Sequence, residues 1–119
     1  MNIEKVRNYC LSKPFVEETF PFDEVTLVFK VANKMFALLP LDEVDDPGIS
    51  LKGDPEINIE YREQYEGINP GYHMNKKHWN TVKLESDVKQ DLIKNMIDRS
   101  YELVVESLPK KVKIELGLM

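Results

Sequence analysis

With a single cysteine in 119 residues, this chain can form neither an internal disulfide nor a multi-cysteine zinc or iron–sulfur site. Cys10 sits among Val6, Tyr9 and Leu11, a setting that predicts a buried structural thiol rather than a nucleophile. Long apolar runs are missing too. Phe36-Ala37-Leu38-Leu39-Pro40-Leu41 is far too short to cross a bilayer, and the first residues carry no signal-peptide core, so a cytoplasmic location is the expectation. The glycines, Gly48, Gly53, Gly67, Gly71 and Gly117, never reach the close spacing of a phosphate-binding loop. Basic charge is in deficit: a net charge of −5 argues against wholesale nonspecific binding to nucleic acid.

What is present suits one α+β domain. At 42% hydrophobic and 31% charged, the chain can bury a modest core and is neither disordered nor fibrous in composition. Ile3, Val6 and Cys10 at helical spacing predict a helix over 3–12 that ends before Pro14. Val25 to Val31 alternates with period two, Met35 to Leu39 follows, and Ala32-Asn33-Lys34 reads as a hairpin turn in which Asn33 takes positive φ.

The acidic stretch from Leu41 to Gly48 reads as an exposed loop, and Ile49 to Lys52 as a short strand. Asp54 and Pro55 then open a helix whose face is Ile57, Tyr61 and Tyr65 and whose end is Gly67. A strand from Trp79 to Leu84 follows. The longest helix starts at Ser86-Asp87, with Gln90 completing a capping box, and stops at Pro109. Residues 1–111 are thus read as the domain and 112–119 as a tail or last edge strand. The predicted architecture is an antiparallel sheet with packed helices.

One segment breaks the acidic character. Gly67 to Leu84 holds both histidines, the only tryptophan and three lysines, with no carboxylate. Lys76, Lys77 and Lys83 could neutralise phosphates, Asn75 and Asn80 could hydrogen-bond backbone or base edges, and Tyr72 or Trp79 could stack on an unpaired base. The arginines, Arg7, Arg62 and Arg99, all lie on predicted helices outside the segment, so the bidentate guanine contact has no obvious donor there. His73 and His78 are spaced for neither a strand nor a helix metal pair, and no nucleophile signature accompanies them. The residues alone therefore give no catalytic or metal site and no cofactor.

Several strings together resemble one family. Val16-Glu17-Glu18-Thr19-Phe20-Pro21-Phe22, Leu27-Val28-Phe29-Lys30-Val31, Lys34-Met35-Phe36-Ala37-Leu38, Ser100-Tyr101-Glu102-Leu103-Val104 and above all Pro70-Gly71-Tyr72-His73-Met74-Asn75-Lys76-Lys77-His78-Trp79-Asn80 are similar to the MmcQ/YjbR family of small bacterial proteins. The resemblance implies a CyaY-like α+β fold and DNA binding through a double-wing surface, with no settled enzymatic activity or cofactor. Where relatives commonly have a glycine pair in the first hairpin, this chain has Ala32-Asn33.

Two functions follow as expectations. The first is weak, salt-sensitive DNA binding through Tyr72, His73, Asn75, Lys76, Lys77, His78, Trp79 and Lys83. The second is a small-ligand- or protein-binding module that uses the same segment in a concave site, without catalysis.

Overall fold

The computed structural model of the protein describes residues 1–71 and 74–118. In chain order the elements are α1 (Ile3–Leu11), β1 (Val16–Thr19), β2 (Thr26–Val31), β3 (Lys34–Pro40), β4 (Gly48–Lys52), α2 (Pro55–Gln64), β5 (Ile68–Pro70), β6 (Trp79–Lys83), α3 (Gln90–Ser107) and α4 (Lys110–Leu116). The strands form an antiparallel sheet in the order β1-β2-β3-β4-β6-β5. The α+β architecture expected from the sequence is the one observed.

The turn between β2 and β3 is made by Ala32 and Asn33, with φ of 49° and 66°. Two successive left-handed residues match the right-handed twist of a two-residue hairpin. Further along, Phe29 pairs with Ala37 but Lys30 pairs with Met35, which leaves Phe36 as the extra residue of a bulge. Phe36 and Ala37 both join the main core as a result, and Phe36 meets Tyr101 of α3 edge-on at 5.4 Å between ring centres.

That core lies between the sheet and the helices. Leu27, Phe29, Val31, Leu39, Ile49, Leu51 and Val82 meet Ile93, Ile97, Tyr101 and Val104 of α3, with Val6 and Cys10 of α1 alongside. Burial pushes the Cys10 thiol up to about 12, so it is protonated at neutral pH and serves as packing.

Several expectations need correction. The tail is a helix, not an edge strand, closed by Gly117 in the left-handed region at φ 70°. Asp54 stands at the start of α2, yet its carboxylate pairs with Arg99 at 3.0 Å and makes no cap. The buried residue of α2 is the polar Asn58, while Ile57 is exposed. The helix does not end at Gly67 but hands over at Tyr65, whose backbone is already extended.

Nor do Ser86 and Asp87 form a capping box, since α3 starts at Gln90 with Lys89 in the cap position. Asp87 instead accepts hydrogen bonds from the backbone N–H groups of Glu66 (2.9 Å) and Gly67 (2.8 Å), tying the exit of α2 to the approach of α3. Those donors hold its carboxyl below the usual carboxylate range. A depressed folded value means the stabilisation is complete above the unfolded pKa of about 3.9 and is lost as pH falls through the folded value. Asp87→Asn is therefore expected to be less stable than the parent at pH 7, with the gap closing below about pH 4 in urea-melt series.

Candidate binding groove on the open face of the sheet

The sheet has two unlike faces. On the face away from α3 a second, smaller cluster of Val28, Leu38 and Trp79, flanked by Met35 and Met74, contains no helical residue. Its three central side chains are buried, and Leu38 and Met74 also line a groove of about 760 Å³. Leu38, Gly48, Ser50 and Thr81 form the groove floor, and Ser50 and Thr81 share a hydroxyl hydrogen bond of 2.9 Å. Phe22, Val25, Pro40, Pro70 and Met74 supply apolar walls, and Thr26 and Asn69 add polar ones. Asp23, Asp42, Glu43 and Lys83 contribute the charged groups.

The conspicuous segment of the sequence forms one side of this groove through Asn69, Pro70, Met74, Thr81 and Lys83. Of the candidate residues, Tyr72 and His73 lie outside the described residues. Asn75 turns inward on its own loop, its side-chain oxygen accepting from the backbone N–H of Lys77 (2.9 Å) and of His78 (3.3 Å). This is the local bonding by which asparagine stabilises turns. Lys76 and Lys77 are exposed on the turn and His78 is half-buried.

Trp79 is 7% exposed and packs on the sheet, so its face is not presented for stacking. Lys83 stands at the far end of β6, where it pairs with Asp46 of the acidic loop at 2.9 Å. Among the six described candidates, Asn75, Lys76, Lys77 and His78 thus sit on the turn, while Trp79 is packed and Lys83 lies at the other end of β6.

What fixes the turn is a network of Arg62 and Asn58, to which the sequence reading assigned no role, with Asn80, which it offered as a nucleic-acid contact. Arg62 of α2 donates to the side-chain oxygen of Asn80 (2.5 Å), to the carbonyl of Trp79 (3.4 Å) and to the carbonyl of Lys76. Asn80, 1% exposed, donates in turn to the Asn58 carbonyl at 3.2 Å, and Asn58 donates to the carbonyls of Gly53 and Lys77, each at 3.2 Å. Gly71 completes the support. Its N–H donates to the Trp79 carbonyl at 2.8 Å, and a Cβ there would come within 2.7 Å of the Trp79 Cβ. Asn58 is buried on α2 beside the half-buried Tyr61 and Arg62, a burial the sequence does not announce, and a buried amide needs partners.

Strand register adds two lysines near the turn. Lys52 is opposite Trp79, and Lys30 is opposite Met35, both at the turn end of the open face, although Glu17 of β1 is paired with Lys30. The two ends of that face thus differ: lysines gather beside the turn, carboxylates around the groove.

Fold and groove together define a small α+β protein with one helix-covered sheet face and one open, concave face. The chain belongs to the YjbR family, whose sequence model matches residues 11–103. It is 38% identical to the uncharacterized protein YbdF of Escherichia coli O157:H7 over 108 residues, covering 91% of this chain and 88% of YbdF. It is 34% identical to the uncharacterized protein YjbR of E. coli strain K12 over 112 residues, covering 93% of each. The crystal structure of Deinococcus radiodurans protein DR2400, a DUF419-domain protein, superposes with a TM-score of 0.92 at 41% identity, over 98% of this chain and 88% of DR2400. The family resemblance read from the sequence is thereby established. Among the described residues no helix is long and apolar enough to cross a membrane.

Proposed function

We propose that this chain is a binding protein whose site is the open-face groove, and that its ligand is a small organic molecule. One observation carries the reading: a groove of about 760 Å³, walled by apolar side chains with a few convergent polar groups, sits on the sheet face whose apolar cluster, among the described residues, takes none from a helix. Small-molecule sites have this composition and volumes of about 300–1,000 Å³. The 64% exposure of Phe22 at its edge fits a surface whose apolar contacts are completed on binding.

A thermal-shift screen of small organic compounds tests it. Ligands are expected to raise the melting temperature of the parent protein, and Asn69→Trp is expected to abolish the shift. Asn69 is exposed at the groove edge, so a tryptophan there obstructs the groove while changing stability by only about 0.5 kcal/mol. Stabilising compounds that act equally on both proteins would remove the groove as the site.

DNA contact is a second reading, favoured by the register that brings Lys30 and Lys52 to the end of the sheet carrying Lys76 and Lys77. It involves few charges, so the expected association is weak. Replacing Lys76 and Lys77 with alanine should lower the salt slope of duplex binding by about 2, measured by fluorescence anisotropy. An unchanged slope, or no binding at low salt, removes this reading.

A further inference from the structure

We infer that the groove selects an amphipathic organic cation: an amine or quaternary ammonium carrying an aromatic or short aliphatic body. The inference deepens the groove reading above and rests on it. Cavity shape supplies the first half of the argument. The walls formed by Val25, Pro40, Pro70 and Met74, over a floor that includes Leu38, offer an apolar body about the right depth of cover, while the Ser50 and Thr81 hydroxyls are already hydrogen-bonded to one another.

Charge supplies the second half. Asp23, Asp42 and Glu43 line the same groove. Asp23 is fixed in place: its carboxylate accepts from the backbone N–H groups of Val25 (2.9 Å) and Thr26 (2.6 Å) and from the Thr26 hydroxyl (3.1 Å). Those bonds from Thr26 and Val25 keep its carboxyl below the ordinary range, so it stays anionic throughout physiological pH.

Lys83 is the one cation among the described lining residues, and Asp46 holds it at 2.9 Å. An anionic ligand would have to displace Asp46 and pass Asp42 and Glu43, which border the adjoining hollow that Lys83 and Asp46 share. Among the described lining residues the uncompensated charge is therefore negative. Phe22 adds an exposed aromatic ring at the mouth, and a cation held within about 6 Å of such a ring gains further attraction.

Methyl-resolved NMR titration at low salt with three probes of one shape, benzyltrimethylammonium, benzyl alcohol and phenylacetate, tests the inference. Benzyltrimethylammonium is expected to shift the methyls of Val25, Leu38 and Met74 and to bind at least about tenfold more tightly than phenylacetate. Salt should weaken it, since screening acts over about 10 Å at 0.1 M. The double variant Asp42→Asn/Glu43→Gln, confined to an exposed loop, should cut the cation-to-anion preference by at least about threefold.

Phenylacetate binding as tightly as the cation, or a preference unchanged in the variant, would overturn the inference. Equal binding of benzyl alcohol and the cation in the groove would overturn charge selection and leave the groove reading standing. No groove shift with any of the three would overturn both.

Discussion

Trp79→Ala is expected to cost about 3–5 kcal/mol of stability in urea unfolding, the range for deleting a buried tryptophan. The indole is 7% exposed, and its cluster is small: Val28, Leu38, Met35 and Met74. With so few neighbours available to collapse into the space, most of the lost volume stays as a cavity. Leu38 also floors the groove, so the loss should disturb ligand contacts at the same time. Trp79→Phe keeps much of the packing and should recover most of the stability. Were Trp79 a stacking platform, alanine would instead leave the melt nearly unchanged and remove only nucleic-acid affinity.

Arg62→Ala is expected to destabilise by about 2–3 kcal/mol, because hydrogen bonds from a charged donor contribute about 1.5–3 kcal/mol and the buried Asn80 oxygen would lose its partner. Arg62→Lys should not rescue it. A lysine offers a point charge with no planar fork, and one ammonium cannot span the Asn80 side chain and the Lys76 and Trp79 carbonyls as the guanidinium does. Amide exchange is expected to accelerate selectively over 76–80, since the network joins α2 to that turn. Uniform acceleration across the sheet would argue that Arg62 supports the whole fold rather than this corner.

The central strands were legible because their signals were redundant. The segment leading into β2 alternates and β3 is a short continuous apolar run, the two flank a two-residue turn, and Asn33 adopts the positive φ that its side chain tolerates. β1 was not legible as a strand: Val-Glu-Glu-Thr is four residues long with two carboxylates, and it is held by pairing with β2 and by the Arg7–Glu18 ion pair, both long-range facts. β5 is Ile-Asn-Pro, tolerable only at the sheet edge, where the proline costs no ladder bond.

The tail failed for a different reason. Over seven residues, the lysine–apolar alternation of 110–116 fits period two, while Val112 and Leu116 also fit a helix at i, i+4. Gly117, placed to close a helix, was the deciding residue.

The candidate site was legible in chemistry and not in placement. The segment rich in lysine and aromatic residues does border the open face, but Trp79 is consumed by packing, Asn75 by its own turn and Lys83 by Asp46. A concave site on this segment was an expectation, but the groove's other walls could not be read, because they come from Phe22 and Val25 before β2, from strands β2, β3 and β4, and from the acidic loop. Such convergence is a property of the sheet order, not of any local spacing.

The most direct test of the account is chemical-shift mapping of the labelled protein against a mixed set of small neutral, cationic and anionic fragments, followed by a short DNA duplex. The account predicts that fragments perturb Val25, Leu38, Ser50, Thr81 and Met74 together, and that Asn69→Trp removes those shifts. Perturbations confined to Lys76, Lys77 and His78 on adding duplex, with no groove response to any fragment, would contradict it.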